Sequence, residues 1–284
     1  MNRTKMNLAL LQMNSRPLDR AANLEHMERR LAAIAGKADF AVMPECADVG
    51  YAPDTAGWLA SAEPISGGSV RALRDMARKH SIALACGVLE ADGQVAGVYY
   101  SSVAVIDASG ELIGVYRKSH LYPREHLWFR AGAELPVFEI AGARVGIAIC
   151  FEAAIPQLFS ELAMRGAELV INPSAVPVGY DYLQNLRTPA RAQDSQIFTA
   201  AVNRAGIEAD VHYCGGSQIC APTGELLGKA GHGTEETVIA RLDFDQILPA
   251  RLQEPSFRAL RPELYQSLRP IDAQSANAPR RANP

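Results

Sequence analysis

GKADFAVMPE, residues 36–45, sets the architecture of this chain. Gly36 stops an amphipathic helix whose apolar stripe is Leu24, Met27, Leu31 and Ile34. Phe40 to Met43 then form a short strand with no polar position, and it ends at Pro44-Glu45. An unbroken apolar run belongs to a strand buried on both faces. The order repeats downstream. A second helix, near 154–165, carries Ile155, Leu158, Phe159 and Leu162 and is stopped by Gly166. GAELVINPS (166–174) then runs through Leu169 to Ile171 and ends at Pro173-Ser174. Two similar α/β halves imply two sheets packed face to face with helices outside.

Outward from these two stretches, residues 6–13 read as a first strand, and Pro17 and Asp19 open the first helix. A Gly-rich stretch around Ser66 precedes a helix to about 80. Strands near 82–90, 98–107 and 111–117 are separated by Asp92-Gly93 and Ser109-Gly110, the pattern of a meander. Residues 135–140 and 143–150 pair. Pro156 sits where a first helical turn tolerates it. A helix near 184–195, strands near 197–203 and 213–220, and a Pro222-Thr223-Gly224 turn complete the body. Residues 1–265 therefore read as one domain, and 266–284, rich in Pro, Ala and Arg without periodicity, as a tail.

Composition narrows the function. The 284 residues carry a formal charge of −3, and basic residues cluster only near the end, so nucleic-acid binding has no electrostatic footprint. Arg3 and Lys5 precede an apolar stretch, Leu8 to Leu11, that is too short for a secretory h-region. No span reaches transmembrane length, so no membrane partner is expected. Five scattered cysteines, Cys46, Cys86, Cys150, Cys214 and Cys220, suggest a reducing, cytoplasmic setting rather than a disulfide framework. Neither Cys-x-x-Cys nor His-Glu-x-x-His occurs, so no metal is expected.

Three apolar strands end on three different reactive residues. AVMPE delivers Glu45, LIGVYRK delivers Lys118 and VGIAIC delivers Cys150. At one rim of a sheet they supply a base, an electrophile for a developing oxyanion and a nucleophile. Most unpaired cysteines are inert small hydrophobes. Cys150 differs because a helix follows within a few residues. Its dipole and free N–H groups favour a thiolate and can bind an oxyanion, with the Phe151 N–H as donor. Cys46, beside Glu45, is the second candidate and reads as pocket lining. A surface carboxylate and a surface lysine are the ordinary readings of Glu45 and Lys118 taken singly. The argument rests on all three types meeting.

These blocks resemble the nitrilase, or carbon–nitrogen hydrolase, superfamily. The resemblance is carried by MPECADVGY around Glu45, YRKSHLYPRE around Lys118 and GIAICFE around Cys150. RGAELVINPSA, RAQDSQIFTAAVNRAG and GGSQICAPTGELL follow in family order, over roughly residues 6–245. It implies a four-layer αββα sandwich and a Glu45-Lys118-Cys150 triad. It also implies a second glutamate at Glu125, seven residues after the lysine, and subunits that pair into homodimers or larger homo-oligomers. Cys150-Phe151-Glu152 matches neither the Cys-Trp-Glu of many nitrilases nor the Cys-Tyr-Asp of many amidases.

The expected reaction is cofactor-free hydrolysis of an amide or N-carbamoyl compound through a thioester. The alternatives are a nitrilase, an acyltransferase that intercepts the thioester, or a non-catalytic interaction protein. Glu125 orients Lys118 or the substrate. Tyr51, Trp128 and Ser174 are expected to contact substrate, with Trp58 and Tyr180 as further candidates for the pocket wall. His120 reads as a structural histidine. If the Glu152 carboxylate faces the pocket, it repels anionic acyl groups and favours neutral or cationic amides. Arg124, Arg130 or Arg187 could reverse that preference.

Overall fold

A computed structural model describes residues 4–264; the tail expected over 266–284 lies outside them. Two six-stranded sheets carry the fold. The chain enters the first at β1 (Lys5–Gln12). It crosses by α1 (Arg20–Ile34) to β2 (Phe40–Val42) and by α2 (Gly68–His80) to β3 (Ala83–Ala91). The expected meander follows as β4 (Tyr99–Ile106) and β5 (Leu112–Arg117). The second sheet takes β6 (Val137–Ile140), β7 (Ala143–Ile147), α3 (Pro156–Met164), β8 (Leu169–Ser174), α4 (Asp181–Ser195) and β9 (Phe198–Asn203). A separate hairpin of β10 (Ala205–Glu208) and β11 (Val211–Cys214) precedes β12 (Gln218–Cys220) and β13 (Leu226–Lys229). β14 (Glu236–Asp243) returns to the first sheet, and α5 (Ile247–Gln253) follows.

The repeat read from the sequence is a repeat of topology. In the order β14-β1-β2-β3-β4-β5, successive pairs run antiparallel, parallel, parallel, antiparallel, antiparallel. In the order β6-β7-β8-β9-β12-β13 the second sheet has the same pattern. β2 and β8, the strands of the two repeated stretches, hold equivalent central places. Each is fed by a helix returning from a parallel neighbour.

Four layers result. Leu8, Leu10, Phe40 and Val42 of the first sheet share one buried cluster with Val145, Ile147, Leu169 and Ile171 of the second. The opposite face of the first sheet, with Ala9, Leu11 and Ala41, packs on Met27 and Leu31 of α1 and Leu73 of α2. Val170 packs on Leu158, Phe159 and Leu162 of α3. Central strands are thus apolar on both faces, and each fully buried large aliphatic contributes about 1.5–3 kcal/mol.

Three local readings change. The strand expected over 213–220 is broken, because Gly215 and Gly216 at φ +66° and +69° turn the chain between β11 and β12. The strand expected over 143–150 stops at Ile147, and Cys150–Ala154 form a 3-10 turn before α3 begins at Pro156. β13 and β14 lie beyond the last element that the sequence reading placed. β14 pairs antiparallel with β1 from Lys5↔Asp243 to Gln12↔Glu236. Among the described residues no helix is long and apolar enough to cross a membrane.

Candidate active site

Glu45 follows β2 by three residues. Gly87 of β3 lets that chain pass close, since a Cβ there would lie 2.2 Å from the Pro44 carbonyl oxygen and 2.6 Å from the Glu45 Cα. Arg204, fully buried, donates from Nε to Glu208 (2.7 Å) and from its terminal nitrogens to the backbone carbonyls of Glu45 and Cys46. The Glu45 side chain is equally enclosed. Its Oε1 accepts from Ser101 Oγ at 3.0 Å and from Lys118 Nζ at 2.9 Å. Its buried Oε2 has no hydrogen-bond partner among the described residues.

Lys118, immediately after β5, donates from the same Nζ to Glu125 Oε1 at 2.8 Å. Glu125 is fixed in turn by the Tyr51 hydroxyl at 2.8 Å and the Tyr122 N–H at 2.7 Å. All three charged groups are about 1% exposed. Burial raises the Glu45 pKa and the Glu125 charge adds to it, against the pull of Lys118 and Ser101. Burial works to lower the Lys118 pKa, but the Glu45 and Glu125 carboxylates outweigh it and hold the ammonium well above its ordinary value.

Cys150 opens the 3-10 turn with φ +48°, in the left-handed region. Asn172 Nδ2 braces the turn by donating to the carbonyls of Ala148 (2.8 Å) and Cys150 (3.3 Å). The expectation of a helix-stabilised thiolate is not met. Burial pushes the thiol pKa up and the Glu45 charge reinforces that, against Lys118 and an N–H from Ala175. A single 3-10 turn separates Cys150 from α3, and the neighbouring carboxylate opposes a second negative charge. The resting group is a thiol near a carboxylate.

Glu152 does not face the pocket, so the expected repulsion of anionic substrates loses its basis. Its Oε1 accepts from the backbone N–H groups of Ser119 (2.8 Å) and His120 (2.9 Å) and from Ser119 Oγ (2.6 Å). Its Oε2 accepts from the Ile149 N–H at 2.6 Å, and the Tyr116 hydroxyl reaches it at 2.9 Å. Burial works to raise its pKa, but these donors and His120 prevail and lower it. The carboxylate therefore ties the Lys118 segment to the Cys150 turn.

A cavity of about 540 Å³ reaches Cys150 and Lys118. Tyr51, Trp128, Phe151 and Tyr180 line it. Ser174 does not: it is buried, and its hydroxyl bonds the carbonyl and side-chain oxygens of Asn172 at 3.1 and 2.9 Å, which leaves Asn172 and Ala175 on the wall. Cys46 and Trp58 also sit behind the wall, packed in a small cluster with Val49 and Leu89. Of the three arginines, Arg124 and Arg187 line the cavity and Arg130 does not. Arg124 is engaged by Asp54 at 3.0 Å and stands 5.5 Å over the Trp128 ring.

Sequence reading missed the supports. Asn203 accepts from the Val176 N–H and donates to the Val176 and Gly215 carbonyls, which fixes the loop after β8. Asn203-Arg204 stood inside a recognised block without an assigned role. Ser101 gave no sequence signal, because a serine inside a strand is ordinary.

A family model described as carbon–nitrogen hydrolase matches residues 7–252. The protein named "Hydrolase in pqqF 5'region" from Pseudomonas protegens is 35% identical over 267 residues, covering 93% of this chain and 92% of its own length. An (R)-stereoselective amidase from Pseudomonas sp. is 32% identical over 247 residues, 87% of this chain and 88% of its own. Among solved structures, a glutamate-to-glutamine mutant of the amidase from Nesterenkonia sp. superposes with a TM-score of 0.82 at 26% identity, covering 93% of this chain and 96% of that one. It shows covalent addition of the acetamide moiety of fluoroacetamide at the active-site cysteine.

Proposed function

The chain belongs to the carbon–nitrogen hydrolase family and is an amidase-type enzyme, and from that premise we propose that it hydrolyses a primary amide or N-carbamoyl compound through a thioester on Cys150. Glu45 Oε2 takes the Cys150 proton as the sulfur bonds to the substrate carbonyl carbon. The carbonyl electron pair moves to oxygen, where Lys118 Nζ and the Phe151 N–H receive the charge. Collapse breaks the C–N bond, and the protonated Glu45 gives its proton to the departing nitrogen, which leaves as ammonia. Glu45 next removes a proton from water as the hydroxide oxygen attacks the thioester. The C–S bond breaks, Glu45 returns the proton to sulfur, and the acid departs. Glu125, held by Tyr51 and Tyr122, keeps Lys118 in place throughout.

The observation that carries this reading is the unpartnered Oε2 of Glu45. A buried carboxylate oxygen without a donor costs free energy. Here its other oxygen is fully occupied, and the one left open is the one a thiol or water proton can use. The test is ammonia release from a panel of amides, carbamoyl amines and nitriles, with acid-quenched mass analysis of the peptide that contains Cys150. We expect an acyl adduct on Cys150 with an amide. Cys150→Ala should fold normally, judged by circular dichroism, and release no ammonia. Near-wild-type turnover by pure Cys150→Ala sinks the mechanism.

A further inference from the structure

The cavity itself narrows the substrate class, and the inference rests on the amidase reading above. Its volume, about 540 Å³, is in the range that encloses ligands of many heavy atoms, several times what a two- or three-carbon amide fills. The wall is mainly aromatic and aliphatic. The Phe151 ring, next to the nucleophile, stands edge-on to Tyr122 with centroids 5.5 Å apart. Trp128 faces in from the turn after Lys118, and Val176 and Leu183 face in from the loop after β8 and from α4. Toward solvent the wall ends in Tyr122 and Tyr180, exposed by 47% and 51%. Positions 180, 183, 184, 187 and 188 line the cavity at one-turn helical spacing, so α4 presents one continuous face to it. Arg191 Nε, one turn further on, donates to the Ala153 carbonyl at 3.1 Å and fixes that face against the nucleophile turn. Charged groups of both signs, Arg124 with Asp54, Arg187 and Asp210, also line the cavity, so neither sign dominates.

We infer that the enzyme selects primary amides with a bulky, uncharged, apolar acyl group, such as arylalkyl carboxamides, over short aliphatic amides and dicarboxylate monoamides. Ammonia is small and leaves from the Cys150 end, so the acyl portion fills the cavity. Each methylene that leaves water against this wall adds about three- to fourfold in affinity.

The test has two arms. In the first, kcat/KM is measured for acetamide, butyramide, hexanamide, 3-phenylpropanamide and glutaramate. The expected series rises with apolar size, with 3-phenylpropanamide at least a hundredfold above acetamide and glutaramate below hexanamide. Tyr180→Ala and Leu183→Ala should each shrink the phenylpropanamide-to-acetamide ratio about tenfold, mainly through KM. The second arm uses Cys150→Ala, which binds without turnover, and follows tryptophan emission, since Trp128 faces the cavity and Trp58 is in the core. Saturable quenching by 3-phenylpropanamide and none by glutaramate at the same concentration is expected. A flat or inverted size series, or equal binding of the two amides, overturns the inference. If wild type hydrolyses no amide, the proposed function falls, and the binding arm still decides whether the cavity selects apolar acyl groups.

Discussion

At the scale of single residues, the proposed mechanism asks two protonation roles of Glu45, and its surroundings suit both. Lys118 and Ser101 occupy Oε1, burial raises the pKa, and Oε2 has no partner among the described residues. Because the base form is the ionised one, kcat/KM should fall as pH drops through a value above the ordinary 4.5 of a glutamate. Glu45→Gln keeps the shape and loses the shuttle. It should lower kcat by at least about 10²–10⁴-fold while an amide still binds, and a titration of the variant separates the two effects. Glu152 tests a different point, since it touches no substrate. Its pKa is lowered in the fold, so its stabilising contribution is present above the unfolded value and is lost as pH falls through the folded one. Glu152→Gln places an amide NH₂ among donors that need an acceptor. A loss of about 2–4 kcal/mol in urea unfolding is expected, together with a fall in kcat that exceeds any change in KM. Unchanged stability would show that the carboxylate is not what joins the two segments.

At the scale of elements, Asp48 shows how the loop after β2 is stitched to its neighbours. Its Oδ1 accepts from the Leu89 N–H of β3 and its Oδ2 from Ser69 Oγ of α2, both at 3.1 Å, with Arg20 of α1 at 3.8 Å. Burial outweighs these partners and pushes its pKa up from 3.8 to about 6. A raised folded pKa means the contribution to stability is complete below about 3.8 and is lost as pH rises through about 6. The shift corresponds to roughly 3 kcal/mol. Asp48→Asn imitates the neutral form and removes that loss. The difference in Tm between variant and wild type should move in favour of the variant from pH 4 to pH 8. A difference that does not vary with pH would mean that Asp48 ionises in the fold at no cost. α4 shows the limits of pattern reading at this scale. Its helical periodicity was legible, yet the face it turns to the cavity carries Gln184, Arg187 and Thr188 beside Leu183, and no hydrophobic stripe would have singled out those three.

At the scale of the whole molecule, the site is built where the two halves meet. Glu45 and Lys118 come from the first sheet and Cys150 from the second. Arg204, at the end of β9, reaches across to the carbonyls of Glu45 and Cys46 while its charge is met by Glu208. Glu208 also accepts from the N–H groups of Ser15 and Tyr51. Arg204→Met strands a buried carboxylate and should cost about 3–5 kcal/mol in denaturant unfolding. Adding Glu208→Gln removes the stranded charge but sets an amide NH₂ against the Ser15 or Tyr51 N–H, so it should return only part of that stability, while kcat stays low because nothing clamps the Glu45 backbone. Recovery of full activity in the double variant would show that the clamp is dispensable.

By itself the sequence determined the layered α/β class, because strands buried on both faces must be written in apolar residues, as in Phe40–Val42 and Leu169–Ile171. It also determined that apolar strands end at Glu45, Lys118 and Cys150 and so put these three forward as a group, while Glu125 came forward only through the family resemblance. Only the tertiary structure decided which of their neighbours reach the cavity. Ser174 turns to Asn172, Cys46 is buried in one cluster with Trp58, and Glu152 bonds backbone N–H groups of a segment 32 residues away. The closing of β14 on β1 and the reach of Arg204 across the sheets span most of the chain. Local pattern follows local chain geometry, whereas side-chain direction, and with it the pKa of Glu45 and Cys150, follows from what packs around a residue from far away in the sequence.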